Sequence, residues 1–311
     1  MEHIKELPFK PYKYQELSIQ ETLYSDTKTV ICLPTGAGKT ITSCFLIKEW
    51  QKNNPNKKVL ITCHRIELVE QFVESLNEVG LTTETIIAGK KKYKHDSEVY
   101  VSMVETLNNK LEKDAEFLKD ISLVISDECH ILVHEKIYGY YPSAKIIGLT
   151  ATPCLEERES FYKCKICDTN YDENTECHGE EALEYGKQKT LSSIYDEIVT
   201  NINIQELIYM GQLVKEINFK IDIDLSSLKE DRKGEFSNKS LNETYNNEVA
   251  VYDVVKNYEE VALGKRTIIF NANTKVNLEV YKQFIDKGYN VRMYDSVNTP
   301  NVNRKELVEW Y

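Results

Sequence analysis

The chain has 311 residues with 39 Lys and Arg against 50 Asp and Glu, a net charge of −11, which excludes a uniformly basic protein that coats nucleic acid. No run approaches the roughly 20 apolar residues of a membrane-spanning helix, and residues 1–13 are mixed and charged with no apolar signal stretch, so a soluble intracellular protein of about two domains is expected. Eight cysteines, several inside apolar runs, read as reduced thiols rather than as the disulfide framework of a small secreted domain.

Residues 9–15 carry Phe9, Pro11, Tyr12, Tyr14 and Gln15 ahead of a helix marked by Leu17, Ile19 and Leu23. The Gln15 amide can donate to and accept from an adenine edge. Next, the apolar strand 29–32 enters Leu33-Pro34-Thr35-Gly36-Ala37-Gly38-Lys39-Thr40, and residues 41–50 read as helix. A strand, a glycine turn and a helix in that order aim backbone N–H groups and the positive end of a helix dipole at one spot, which suits phosphate. Lys39 would reach the outer phosphates and the Thr40 hydroxyl would hold magnesium. Leu33 stands where the general pattern has glycine, and Gly36 and Gly38 supply the permissive backbone.

Residues 58–63 read as a buried parallel strand and 66–79 as an amphipathic helix with Leu68, Phe72 and Leu76 on one face. A short strand at 85–88 leads into Gly89-Lys90-Lys91-Lys92-Tyr93-Lys94-His95, the densest basic run in the chain. A solvated turn and a contact with a phosphate backbone both fit that run. Strand 99–103, helix 104–118 and strand 121–125 follow, and the last delivers Asp127 and Glu128 at its C-terminal edge, where open α/β sheets place chemistry. Asp127 would hold magnesium and Glu128 would take a proton from the attacking water. Strand 145–149 ends in Thr150-Ala151-Thr152-Pro153, whose two hydroxyls suit a relay beside the phosphates.

Segment 154–200 is acidic, with 12 acids against 5 bases, and so is a poor wall for a polyanion groove. It contains Cys154, Cys164, Cys167, Cys177 and His178. Cys164-x-x-Cys167 has zinc-knuckle spacing and Cys177 would be a third ligand. The fourth would be Cys154 or His178. Free thiols in a loop, or a redox dithiol, are the other readings. Beyond it, residues 215–224 alternate as a strand, 241–262 have helical periodicity, 275–287 and 290–294 read as helix and strand, and 306–311 resemble the middle of an amphipathic helix.

Five blocks together resemble helicase superfamily 2 in its DExH branch: Tyr14-Gln15 like the glutamine motif, PTGAGKT at 34–40 like motif I, TCHRIELVEQF at 62–72 like motif Ia, DECH at 127–130 like motif II and TATP at 150–153 like motif III. Residues 101–107 look like motif Ib, IQELIYMGQLV at 204–214 like the junction of bacterial and phage DNA repair and recombination helicases, and 267–273 like motif IV. The resemblance implies an α/β fold: a RecA-like parallel sheet sandwiched by helices over 1–153, an acidic insert at 154–190, an inter-lobe junction at 191–262, and an incomplete second RecA-like lobe at 263–311. It implies an ATP-dependent helicase or translocase using magnesium. DNA is favoured over RNA as partner. His64, Arg65, Lys90, Lys91, Lys92 and Ser102 would face the nucleic acid, and Thr150 and Thr152 would couple it to ATP. Motifs V and VI, with their arginine finger, are missing, so a C-terminally incomplete chain is expected. That departure keeps open a non-hydrolysing binding module, beside a duplex translocase of restriction-enzyme type and an RNA helicase.

Overall fold

The computed structural model describes residues 10–153, 161–164, 166, 170–171, 183–186, 190–218, 248–295, 297–299, 306–307 and 310. They fall in two compact units, one holding residues up to Phe161 with Tyr185–Glu216, the other Tyr162–Glu184 with Ile217–Tyr311.

In the first unit α1 (Lys13–Tyr24) precedes β1 (Thr29–Cys32), α2 (Lys39–Asn53), β2 (Lys58–Cys63), α3 (Ile66–Glu78), β3 (Thr83–Ile86), β4 (Val99–Met103), α4 (Val104–Leu111), β5 (Ile121–Asp127), α5 (Glu135–Tyr140) and β6 (Lys145–Thr150). After the insert strands β7 (Phe161–Cys164), β8 (Asn170–Tyr171) and β9 (Leu183–Gly186), the chain returns as β10 (Glu197–Val199) and α6 (Ile204–Tyr209). The main sheet has seven strands in the order β10-β1-β6-β5-β2-β4-β3, and every pairing is parallel.

Parallel strands covered on both faces need apolar residues at successive positions, and β1, β2, β5 and β6 supply them. Ile31, Val59, Ile61, Leu123, Ile125, Ile147 and Leu149 face one core with α1, α2, α3 and α6, whereas Val30, Leu60, Tyr100, Val124 and Ile146 face another with α4 and α5. The alternation makes a three-layered α/β unit. On α3 the fully buried stripe is Val69, Phe72 and Leu76, with Leu68 packed at its flank.

Three boundaries differ from the sequence reading. Strand β3 ends at Ile86, because Ile87 and Ala88 enter the turn at Gly89. Helix α4 ends at Leu111 rather than 118: the Asp114 carboxylate takes the Glu116 N–H at 3.0 Å, and Phe117 turns to meet Tyr93 edge-on at 5.3 Å. Strand β5 runs two residues further and includes Asp127.

In the second unit α7 (Glu248–Val261) and α8 (Thr274–Asp286) enclose a small core of Val255, Val276, Val280 and Phe284. The strand expected at 290–294 carries no ladder: among the described residues it and the motif IV-like stretch 267–273 are irregular, although Ile269 and Val291 pack against that core. Among the described residues no hydrogen-bonded neighbour turns 290–294 into a strand. Residues 215–218 are likewise irregular and exposed, and the rest of the strand expected to 224 lies outside the described residues. So do Cys154, Cys167, Cys177 and His178, while Cys164 closes β7.

Gly148 in β6 marks a close approach. A Cβ there would stand 2.6 Å from Cys129 Sγ and 2.9 Å from the Tyr195 ring. Gly148→Ala is expected to lower stability by about 1–3 kcal/mol, read as a fall in Tm; an unchanged Tm would remove that crowding as the reason for glycine.

Candidate functional site

The glycine turn, DECH and TATP all follow the C-terminal ends of strands in the main sheet, β1, β5 and β6. Ladder register places Cys32 of β1 beside Thr150 of β6, and Leu149 of β6 beside Asp127 of β5. The phosphate-type turn, the two acids and the threonines therefore converge although the sequence separates them.

Leu33 is buried in the core and its N–H donates to the Thr150 carbonyl at 3.0 Å. This position prolongs β1 and needs no left-handed backbone, which explains a leucine where the motif has glycine. Gly36 (φ 88°) and Gly38 (φ 76°) do adopt left-handed conformations, costly for any residue with a Cβ. Gly38 caps α2, so Lys39 and Thr40 begin its first turn. The buried Ala37 carbonyl accepts from the Tyr14 hydroxyl at 3.0 Å and from Gln15 Nε2 at 3.2 Å, while Gln15 Oε1 accepts the Tyr12 N–H at 2.9 Å. Gln15 thus lies against the turn, with one N–H and one lone pair beyond these bonds. Tyr14, given no role from sequence, is a second brace.

Lys39 Nζ lies 3.8 Å from Glu128 Oε1. Asp127, buried at the end of β5, has its carboxyl pushed up to about 6 by burial and then by Glu128, against the pull of Lys39. Glu128 has a left-handed backbone, φ 49°, which aims its side chain back at the turn. Its other oxygen lies 3.3 Å from His130 Nδ1, which is 2.9 Å from Thr150 Oγ1, and that hydroxyl accepts the Thr152 N–H at 3.0 Å. His130 thereby links the acid to the threonines, a part that only its place in DECH could have suggested.

Residues 8–155 match the family described as Type III restriction enzyme, res subunit. A 51.5 kDa protein of a Lactococcus phage (isolate 7-9) is 24% identical over 284 residues, covering 88% of this chain and 50% of the phage protein. The SsaAORF53P endonuclease subunit, a type I restriction enzyme of Staphylococcus saprophyticus, is 25% identical over 234 residues, 66% of this chain and 25% of that subunit. Among solved structures, the Hef helicase domain of Pyrococcus furiosus shares 21% identity at a TM-score of 0.44, covering 90% of this chain and 54% of that one. Over residues 8–155 the chain is thus similar to the res subunits of restriction enzymes. It spans half, or less, of the length of these curated relatives.

The residues expected to meet nucleic acid are dispersed. Arg65, Lys91 and Lys92 are exposed and His64 is half-buried. Ser102 is fully buried and its hydroxyl donates to the Met103 carbonyl at 3.0 Å. Lys90 turns inward to pair with the buried Glu84 carboxylate and to donate to Thr85 Oγ1 at 3.0 Å. The basic run is the irregular crossover from β3 to β4, pinned by Tyr93 against Phe117 and by Lys110 lying 4.5 Å over the Tyr93 ring. Five strand spacings separate β3 from β1 in the sheet order, roughly 24 Å, so the basic run and the phosphate-type turn occupy opposite ends of one edge.

Behind the acids runs a buried hydrogen-bonded chain. His134 Nδ1 is 2.8 Å from Thr62 Oγ1, Thr62 Oγ1 is 3.0 Å from Ser126 Oγ, and the Tyr138 hydroxyl donates to Ser126 at 2.8 Å while meeting the Tyr195 hydroxyl at 2.5 Å. Burial, then His64, lowers His134 to about 4 from 6.5, offset in part by the Asp127 carbonyl. A depressed histidine binds its proton more readily in the unfolded chain, so stability is intact above pH 6.5 and is lost as pH falls from 6.5 toward 4. His134→Asn is expected to flatten that part of a pH–stability curve by up to about 3 kcal/mol, measured by denaturant unfolding; an unaltered slope would place the acid sensitivity elsewhere.

Proposed function

We propose that this chain is the ATP-hydrolysing part of a nucleic-acid helicase or translocase, acting on DNA in preference to RNA. The observation that carries the reading is the 3.8 Å approach of Lys39 to Glu128, residues almost ninety positions apart. An ammonium at a glycine turn beside an acid at the end of the next strand but one is the arrangement needed to hold a γ-phosphate and activate water in line with it. Residues 34–40 cradle the phosphates, Lys39 offsets their charge and Glu128 accepts the proton from water. Gln15 holds the turn and offers its remaining amide groups to adenine. Thr150 and Thr152, tied to Glu128 through His130, link the site to nucleic acid on Arg65, Lys91 and Lys92.

The donor set fits magnesium, a hard cation held by few protein oxygens: the Thr40 hydroxyl in the first turn of α2 and the Asp127 carboxylate would hold it. The raised Asp127 acid marks a buried carboxylate that a cation would relieve. When bound, the ion supplies positive charge to the phosphate oxygens.

Glu128→Gln is expected to retain ATP binding and to lose turnover by about 10²-fold or more, measured by phosphate release beside nucleotide titration. Unchanged turnover would take Glu128 out of this role. Stimulation by single-stranded DNA with strand separation supports a helicase. Stimulation by duplex DNA without separation supports the second reading, a duplex translocase, which the match to the restriction res subunit favours. Stimulation by RNA alone overturns the preference for DNA, and ATP binding without phosphate release leaves a binding module.

For the insert two readings stand side by side, free thiols and a structural zinc on Cys164 and Cys167 with Cys177 and either Cys154 or His178. Metal analysis of the purified chain separates them: a zinc-free chain leaves the free thiols, and equimolar zinc overturns them.

A further inference from the structure

Chain leaves the first unit over the phosphate-type turn. Helix α6 has Leu207 fully buried in the same core as Leu33 and Ala37 of that turn. It ends at Gly211, φ 73°, where the N–H groups of Gln212 and Leu213 both donate to the Leu207 carbonyl, at 2.9 and 3.2 Å. From there the chain is exposed. Tyr209 and Val214 are 92% accessible and Ile217 is 79% accessible. Among the described residues from 209 to 218, Leu213 alone is packed inward, and it lies against the main core.

Leu213 lands on one residue of the motif. A Cβ at Gly36 would stand 2.7 Å from Leu213 Cδ2 and 3.4 Å from its Cγ, so the leucine covers the Cα face of the glycine that gives the turn its left-handed step. Phosphate bound on the other side of this turn fixes the turn's N–H groups. Any rotation at Gly36 that accompanies binding pushes on, or releases, the only side chain anchoring the exit segment. A coupling of this kind is reciprocal: what the nucleotide does to the segment, the segment does to nucleotide affinity.

We propose that Leu213 is a positioning residue that senses the phosphate-binding turn through Gly36 and transmits nucleotide occupancy to the segment 209–216, which leads into the second unit. The inference rests on nucleotide binding at residues 34–40, as proposed above.

The test is amide hydrogen exchange on the full chain, with and without saturating Mg-ADP, and with ADP binding titrated in the same samples. In the native chain ADP is expected to slow exchange at Gln212 and Leu213 by about fivefold or more. In Leu213→Ala, with ADP still bound, that ratio is expected to collapse to one, and Leu213→Met is expected to restore it. A purely structural leucine would instead raise exchange in Leu213→Ala equally with and without ADP, keeping the native ratio. That outcome, or a native ratio of one with ADP bound, overturns the inference while leaving the nucleotide site standing. Absence of ADP binding to the native chain overturns the nucleotide reading and this inference with it.

Discussion

The site depends on the register of three parallel strands, β1, β6 and β5. Because Cys32 lies beside Thr150 and Leu149 beside Asp127, the loops after these strands leave the sheet at one level, and Lys39 and Glu128 meet across the intervening β6. Side chains on both faces of these strands are buried in the two helical layers. A slip by one residue would exchange the faces and lose both cores, so the alignment of the chemical groups is as stable as the hydrophobic packing.

Within that frame the acid pair is held by strain balanced against contacts. Glu128 sits at a positive φ of 49°, which costs a residue with a side chain about 1–3 kcal/mol. Its carbonyl accepts the Ile131 N–H at 2.9 Å and the next residue's N–H donates to Leu149 at 3.0 Å. Cys129 then fills the space that Gly148 leaves open. Behind the acids His134 Nδ1 and the hydroxyls of Thr62, Ser126, Tyr138 and Tyr195 bond to one another, while His134 Nε2 is buried with no hydrogen-bond partner among the described residues. The bonded part of this buried network adds rigidity, and its unpaired nitrogen is costly.

The phosphate-type turn is gripped from several directions by elements far apart in sequence. Leu33 anchors it to the core, Tyr14 and Gln15 hold the Ala37 carbonyl, and Leu213 covers Gly36. A turn fixed in this way presents its N–H groups without having to order itself when an anion arrives, which preserves binding energy for the reaction. The basic crossover at the far end of the edge is instead built from two kinds of lysine: Lys90 neutralises the buried Glu84, and Lys91 and Lys92 remain in solvent.

Local pattern determined the strands β1, β2, β4 and β6, the helix α3, the glycine turn with Lys39 and Thr40, and the identity of the acids, because unbroken apolar runs, helical periodicity and motif order are properties of neighbouring residues. The extension of β5 through Asp127, the early end of α4 and the inward turn of Lys90 and Ser102 were not legible, since each follows from a partner other than its chain neighbours: Leu149, Tyr93, Glu84, and the strands β2 and β3 that flank Ser102. Residues 290–294 read as a strand, but a strand exists only with a neighbour to bond. Tyr14, Leu213 and His130 stood inside recognised motifs, but their parts as braces and link, like the burial of His134, were not legible. Their roles are distances between chain segments, and only the packing of the sheet and its helices sets those distances.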